Sequence, residues 1–232
     1  FFSLANAEEP VEPGFNEATF KGLEFRSIGP AFMSGRIADI AIDPTDPSVW
    51  YVAVGSGGVW KTDNASTTWT PIFDDQGSYS IGCVTLDPNN PNTVWVGTGE
   101  NVSGRHVGYG DGVYRSRDGG ASWENMGLKN SEHIGMIRID PRDSNTVYVA
   151  SQGPLWSPKG ERGLYKSTDG GETFTHVGLQ GTQTIARVRV HPTNPDVAWV
   201  AYTSARKTDG GERLASGSPD HAACVKHARK GP

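Results

Sequence analysis

Four copies of one sequence unit follow each other along the chain, and they restrict the possible folds more than any other feature. Each copy opens with a short apolar segment that ends in Asp-Pro or, in the fourth copy, His-Pro: residues 37–44, 81–88, 134–141 and 185–192. These Asp and His residues are 44, 53 and 51 positions apart. An aromatic residue follows eight positions later in every copy, at Tyr51, Trp95, Tyr148 and Trp199. Such a period is typical of repeat architectures.

A hairpin and a turn follow in the first three copies. Each hairpin begins with Gly, an aliphatic, an aromatic, a basic and a hydroxyl residue, and the turn after it ends in a second aromatic. In copies two and three the turn reads Ser-x-Asp-Gly-Gly-x-hydroxyl-aromatic, whereas copy one is degenerate. A short carboxylate accepts hydrogen bonds from amides of its own turn, and glycine permits positive φ. We therefore interpret the following turn residues as structural rather than catalytic: Asn64, Trp69, Ser116, Asp118, Gly120, Trp123, Ser167, Asp169, Gly171 and Phe174.

Strand-like segments and composition together predict an all-β fold. Apolar residues alternate with a period of two in the opening segments, and the chain contains 30 Gly and 15 Pro. Four short antiparallel strands in each unit match one blade of a β-propeller. The sequence predicts about three and a half blades forming an open arc, at residues 23–74, 75–128, 129–180 and, as a partial blade, 181–205.

Both ends of the chain depart from the repeat. Residues 1–7 resemble the remnant of a signal peptide with an Ala-x-Ala cleavage site, which predicts a secreted, periplasmic or cell-surface protein. Residues 8–22 are expected to lead into the first blade. Residues 206–232 have no alternation and are predicted to be a disordered tail. A bridge between Cys83 and Cys224 remains open, but two cysteines make no disulfide framework.

Charge and residue spacing argue against several classes of partner. The net charge of −5 provides no basic stripe for nucleic acid. No run of 18 apolar residues indicates a membrane span. His106, His133 and His176 have no neighbours at metal-ligand spacing, so the sequence predicts neither a metal nor a cofactor.

Three segments carry a resemblance to a known family. They are Phe-Arg-Ser-Ile-Gly-Pro at residues 25–30, Ser-Gly-Arg-Ile-Ala-Asp-Ile at 34–40 and Gly-Gly-Val-Trp-Lys-Thr at 57–62. Together they resemble the opening of large secreted bacterial proteins with a sortilin-type propeller of Asp-box (bacterial neuraminidase) repeats, often named glycosyl hydrolases. The resemblance covers residues 23–205 and implies that further blades of a longer chain are partners. Such propellers include glycosidases, peptide receptors and assembly factors, so the fold alone does not fix the function.

Loop lengths indicate where a ligand would bind. If the strands of a blade are named A to D, the B-to-C and D-to-A connections share one face of the propeller. The B and C aromatics are 9, 19 and 17 residues apart in copies one to three, whereas the other spacings are constant. Loops that grow on one face usually carry binding residues. The ligand-binding candidates are Arg36 before the first strand, Glu100, Arg105, His106, Tyr109 and Asp111 in the second copy, and Trp156 in the third.

Each candidate has a structural alternative. The alternative for the loop of copy two is a long solvated hairpin whose charges pair with one another. Arg36 fits a surface salt bridge as well as a clamp for a carboxylate. Trp156 could stack on a sugar or cover the edge of its blade.

The sequence favours a binding module over an enzyme. Glycosidases need two carboxylates across the scissile bond. The resemblance to xyloglucan-cleaving propellers implies an Asp at the end of strand B, where this chain has Gly55. The resemblance to sialidases implies an arginine triad, a Tyr nucleophile and an Asp acid, of which only Arg36 is suggestive. We therefore expect a ligand-binding module for peptide or carbohydrate, or a scaffold, with no assigned catalytic residue. The alternative is the N-terminal part of a sialidase-like or xyloglucanase-like glycoside hydrolase that missing blades complete.

Overall fold

The computed structural model is built almost entirely of β-strands. It describes residues 21–22, 35–102, 107–157, 160–179, 182–191, 197–204 and 221–226. A short 3-10 helix spans Lys129–Ser131, and none of the helices in these ranges is long and apolar enough to cross a membrane. The strands are β1 (Ile37–Ile42), β2 (Trp50–Val54), β3 (Val59–Thr62), β4 (Thr70–Pro71), β5 (Ile81–Asp87), β6 (Asn90–Thr98), β7 (Val113–Ser116), β8 (Glu124–Gly127), β9 (Ile134–Asp140), β10 (Asp143–Ser151), β11 (Gly163–Ser167), β12 (Thr175–Gly178), β13 (Thr182–Val190), β14 (Val197–Ser204) and β15 (His221–Lys226).

Consecutive strands form four antiparallel sheets. The first three sheets have four strands each, in the orders β1-β2-β3-β4, β5-β6-β7-β8 and β9-β10-β11-β12, and the fourth has the order β13-β14-β15. The same register recurs in the sheets, with Ile40 opposite Val52 in the first and Val188 opposite Val200 in the fourth. The predicted all-β architecture of four-stranded antiparallel propeller blades is confirmed.

The hydrophobic core lies between neighbouring sheets. The first strands of successive sheets lie side by side, β1 with β5, β5 with β9 and β9 with β13. Each of the three clusters of buried residues combines two adjacent sheets, and the B aromatics Tyr51, Trp95 and Tyr148 are each in one of them. Burying these rings is what makes each sheet depend on its neighbour, because apolar burial supplies most of the stabilisation.

The Asp-box turns are closed by hydrogen bonds from their own residues. Ser167 Oγ donates to Asp169 Oδ1 (2.7 Å) and accepts from the Gly171 amide (2.8 Å), and Asp169 Oδ1 also accepts from the Thr173 amide (3.0 Å). These bonds, led by that from Ser167, lower the pKa of Asp169 to about 2. Because this pKa is far below 7, the Asp169 carboxylate is deprotonated at neutral pH and has no proton to donate.

The same geometry is present in the other two turns. Bonds led by that from Ser122 lower the pKa of Asp118 to about 2, and Ser116 takes the place of Ser167. The degenerate first turn keeps the pattern with a carboxamide, since Asn64 Oδ1 accepts from Thr62 Oγ1 (2.9 Å) and from the Thr68 amide (2.9 Å).

Side chains of the hairpins bind the adjacent sheets to each other. Lys61 Nζ donates to the carbonyl of Gly119 (2.9 Å) in the next turn, and the Arg115 guanidinium donates to that of Gly170 (2.5 Å). Trp123 Nε1 donates to the carbonyl of Ile72 (2.7 Å), which directly follows the last strand of the preceding sheet. The regular spacing of these residues in the repeats therefore corresponds to contacts between neighbouring sheets.

One expectation from the sequence is wrong in part, and one possibility that it left open is settled. Six residues of the predicted disordered tail, His221–Lys226, form β15, which pairs with β14 and satisfies the backbone groups along that edge. Residues 205–220 and 227–232 of the tail lie outside the described residues, as do the predicted signal remnant 1–7 and most of the lead-in. Cys83 is a free thiol within the core, so it makes no bridge to Cys224. Burial raises the pKa of Cys83 to about 12.

Candidate ligand-binding face

Loops from successive sheets are hydrogen-bonded into one continuous surface, which we call the loop face. It consists of the B-to-C loops, residues 55–58, 99–102, 107–112 and 152–157, and the connections between sheets, residues 72–80 and 128–133. Four bonds link these segments: Gly58 N to Tyr79 O (2.9 Å), Ser80 Oγ to Gly108 O (2.9 Å), Gly110 N to Glu132 O (2.7 Å) and Gln152 N to His133 O (2.9 Å). The loop face is therefore held by hydrogen bonds that link the loops of three sheets.

Glu100 is the buried charge of this face. Its side chain is 3% exposed, and its carboxylate binds the guanidinium of Arg36, which is 58% exposed. Ser56 Oγ donates to the other carboxylate oxygen (3.0 Å), and the Glu100 amide lies 3.1 Å from Ser80 Oγ. A buried carboxylate requires such partners. Arg36 and Glu100, both candidates from the sequence, are thus brought together across two sheets.

Gly55 makes room for the Glu100 side chain. A β-carbon built on Gly55 would lie 3.0 Å from Oε1 and 3.2 Å from Cδ of Glu100. A side chain at position 55 and the present position of Glu100 are therefore mutually exclusive without a shift. The first strand B ends at Gly55 without a carboxylate. The carboxylate of Glu100, from the next sheet, lies where a side chain at position 55 would be.

His133 supports the loop of Glu100 through a buried hydrogen bond. Its ring is fully buried, and its Nδ1 donates to the carbonyl of Glu100 (2.9 Å). Burial lowers the pKa of His133, so the ring is neutral around pH 7. The other nitrogen, Nε2, has no hydrogen-bond partner in the described part of the chain, and the ring of Tyr109 lies 5.6 Å away between centroids.

Three aromatic side chains on the loop face point into solvent. Tyr79, Tyr109 and Trp156 are 67%, 58% and 65% exposed. Large exposed rings that share one face are a frequent mark of a binding surface. Tyr109 and Trp156 were candidates from the sequence, whereas Tyr79 was missed; its signal is an aromatic residue within the Ser-rich connection before β5.

Asp111 is engaged within its own loop. Its carboxylate accepts hydrogen bonds from Thr98 Oγ1 (3.3 Å) and from the hydroxyl of Tyr114 (2.5 Å). Burial and this bond raise the pKa of Tyr114. Asp111 therefore braces the base of the loop.

The loop of Trp156 borders a groove. Arg162 braces it from inside by donating to the carbonyls of Pro154 and Ser157, and burial lowers the pKa of Arg162. Glu161 Oε2 accepts from the Asn130 amide (2.8 Å), which ties the loop to the short helix. The groove between them is lined by Lys129, Asn130, Glu132, Pro154, Ser157, Gly160 and Glu161.

Two candidates from the sequence, Arg105 and His106, lie outside the described residues. Within the described ranges, no group of three or more His, Cys, Asp or Glu side chains is arranged to hold a metal ion. The carboxylates of Asp118 and Asp169 lie in the turns between strands C and D, at the opposite ends of the strands from the loop face.

A family model matches more than half of the chain. It is Sortilin-Vps10, described as sortilin, neurotensin receptor 3, and it covers residues 111–230. The chain belongs to the Sortilin-Vps10 family. The match includes two of the Asp-box turns and all strands from β7 onward.

Curated relatives of this Sortilin-Vps10 chain include xyloglucanases. One from Hypocrea jecorina is 28% identical over 209 residues, which are 81% of this chain and 24% of the relative. Xyloglucanase Xgh74A of Acetivibrio thermocellus is 26% identical over 162 residues, 64% of this chain and 18% of the relative. The chain thus spans about a quarter or less of the length of these relatives.

Similar solved structures share the fold of this Sortilin-Vps10 chain. An ancestral GH74 enzyme has a TM-score of 0.56 at 21% identity, over 72% of this chain and 22% of its own. The GH74 enzyme of Niastella koreensis has a TM-score of 0.55 at 24% identity, over 72% of this chain and 25% of its own. The observed sheets therefore match the fold of about a quarter of each of these larger proteins.

Proposed function

We propose that this chain is part of an exported propeller protein and that its loop face binds a polysaccharide. The observation that carries the proposal is the exposure of Tyr79, Tyr109 and Trp156 on one face. Aromatic rings provide flat apolar surface for the C–H faces of sugars, and few polar groups then fix orientation. Arg36, held by Glu100 of the loop face, supplies such a group.

The ligand is expected to be an uncharged glycan. Asp74, Asp75 and Glu132 add negative charge to the loop face, and the whole chain has a net charge of −5. Like charges would repel a polyanion. The curated relatives named xyloglucanases support a neutral β-glucan such as xyloglucan as the first ligand to test.

Calorimetric titration with xyloglucan oligosaccharides tests this function. Trp156→Ala and Tyr109→Ala should each weaken binding about tenfold, because a stacked ring is worth about 1 kcal/mol or more. Trp199→Ala is the matched control, since Trp199 is also exposed but lies near the other end of its strand. Equal affinity of all three variants, or no binding of any glycan, would refute the proposal. Binding of extended peptides instead would favour the peptide-receptor alternative.

A second candidate function is glycoside hydrolysis, and one observation favours it. Glu100 fills the space at Gly55, the position where the resemblance to xyloglucan-cleaving propellers implies a carboxylate. The second carboxylate of a hydrolase would then come from blades beyond this chain. In the protein with all its blades, Glu100→Gln should abolish reducing-sugar release from xyloglucan while oligosaccharide binding persists. Unchanged turnover in that variant would exclude the assignment.

A further inference from the structure

His133 and the residue before it join the loops of two neighbouring sheets. His133 Nδ1 donates to the carbonyl of Glu100 (2.9 Å) in the B-to-C loop of the second sheet. The carbonyl of His133 accepts from the Gln152 amide (2.9 Å) in the loop of the third sheet, and the carbonyl of Glu132 accepts from the Gly110 amide (2.7 Å). Residues 132–133 therefore hold both loops in place through three hydrogen bonds.

The His133 ring has no acceptor for a second proton. Its side chain is fully buried, and because Nδ1 carries the proton that is donated to Glu100, Nε2 is the basic nitrogen. No hydrogen-bond partner of Nε2 lies within the described ranges. A proton on Nε2 would therefore create a buried charge with an unpaired N–H group, which is costly.

The charged groups around the ring do not compensate for that cost. Glu100, from the loop of the second sheet, favours the proton, whereas Arg162, next to the loop of the third sheet, opposes it. The ring of Tyr109 lies 5.6 Å away between centroids, and the carboxylate of Glu132, on the same connection as His133, interacts with Arg162. Burial outweighs these charges and lowers the pKa of His133.

The neighbouring backbone is strained and leaves the ring little room. Glu132 has a φ of 59°, a value that residues other than glycine rarely adopt. A β-carbon on Gly99 would collide with the carbonyl oxygen of Glu132, so the two backbones are in direct contact. For the His133 ring to reach solvent, residues 132–133 must move and their hydrogen bonds to the loops must break.

We propose that His133 is an acid-sensitive switch of the loop face. When Nε2 takes up a proton, the ring leaves its buried position, the bonds to the Gly110 and Gln152 amides break, and ligand binding weakens. A histidine exposed to water has a pKa of about 6.5, and the pKa of the buried ring is lower, so the open form takes up the proton first as the pH falls. The loop face is therefore closed above about pH 7 and opens progressively below about pH 6.5. The effect on the ligand rests on the proposed function, whereas the opening itself does not.

Hydrogen exchange of individual amides, followed by NMR on the 232-residue chain without ligand, tests the opening. After correction for the intrinsic exchange rate, the opening constants of the Gly110 and Gln152 amides should rise severalfold from pH 7.5 to pH 5. The upper limit is about thirtyfold, set by a histidine pKa of about 6.5 in the open form. The Gly171 amide, bonded to Ser167 Oγ in an Asp-box turn, is the internal reference and should show no change. Equal opening constants at the two pH values for Gly110 and Gln152 would overturn the proposal.

Substitution assigns the titration to this ring. In His133→Asn, the carboxamide can donate to the Glu100 carbonyl in place of Nδ1 but does not titrate, so opening should no longer depend on pH. His176→Asn is the matched control, because His176 lies in β12 with its ring against Tyr165, and this variant should keep the full pH dependence of the wild type. A dependence that persists in His133→Asn, or that disappears in His176→Asn, would also contradict the proposal.

Calorimetry with xyloglucan oligosaccharides tests the effect on the ligand. The affinity of the wild type should fall from pH 7.5 to pH 5, by no more than the opening constant rises, because only the closed form binds. The affinity of His133→Asn should stay constant. An unchanged wild-type affinity despite increased opening would refute the effect on the ligand. Acid-dependent opening without glycan binding at pH 7.5 would refute the proposed function and support the switch.

Discussion

Substitution of Gly171 by alanine measures how tightly the blades pack against each other. The residue has a φ of 93°, and its β-carbon would lie 2.3 Å from the Trp95 ring and 3.0 Å from a second ring atom. A positive φ costs a non-glycine residue about 1–2 kcal/mol. Overpacking of a filled core adds about 1–3 kcal/mol. We therefore expect Gly171→Ala to lower the free energy of unfolding by about 3 kcal/mol.

The matched control for this variant is Gly127→Ala. Gly127 also has a positive φ, 107°, but nothing lies within 4 Å of its β-carbon position. Its substitution should cost only the backbone strain, about 1–2 kcal/mol. Urea unfolding followed by circular dichroism and by Trp fluorescence gives both values and tests two-state behaviour.

A double-mutant cycle with Trp95→Phe attributes the difference to the ring. The smaller ring should relieve the contact, so Gly171→Ala should cost less in that background, with a coupling of about 1 kcal/mol. Equal costs for Gly171→Ala and Gly127→Ala, with no coupling to Trp95→Phe, would refute the packing argument.

Three further predictions concern the turns and the core. The pKa of Asp169 in the folded protein is about 2. Its stabilising effect is therefore present above about pH 4 and is lost as the pH falls towards 2. The difference in melting temperature between wild type and Asp169→Asn should shrink from pH 5 to pH 2.5, and a constant difference would contradict this. Trp123→Phe removes the hydrogen bond to Ile72 and should cost about 1 kcal/mol in urea unfolding; an unchanged midpoint would speak against that bond. In a Cys224→Ala variant, the buried Cys83 thiol should react with a thiol reagent at pH 8 only after denaturation, and rapid labelling of the folded chain would disprove its burial.

Local features of the chain could be predicted from the sequence with good detail. The opening segments of the repeats became β1, β5, β9 and β13, and the turn motifs have the expected hydrogen bonds around Asp118 and Asp169. Both depend on residues close together in the sequence, where spacing fixes which side chain can reach which amide.

Contacts between distant residues could not be predicted in the same way. Arg36 and Glu100 were separate candidates for a ligand, and their pairing across 64 residues appears only when two sheets are adjacent. Asp111 and Tyr109 are two residues apart, yet one braces the loop and the other is exposed. The tail gave no strand pattern, and β15 forms because β14 offers an unpaired edge.

The sequence by itself determined the repeating unit, the strand order within a sheet and the chemistry of the turns, because these follow from alternation and short-range hydrogen bonding. The tertiary structure decided which apolar positions are buried, since Ile40 and Ile137 occupy equivalent places in the repeat, yet Ile40 is 51% exposed whereas Ile137 is fully buried in the core between the second and third sheets. It also decided that the carboxylate beside Gly55 comes from the neighbouring blade. Periodicity shows which residues share a face, whereas burial depends on what lies against that face.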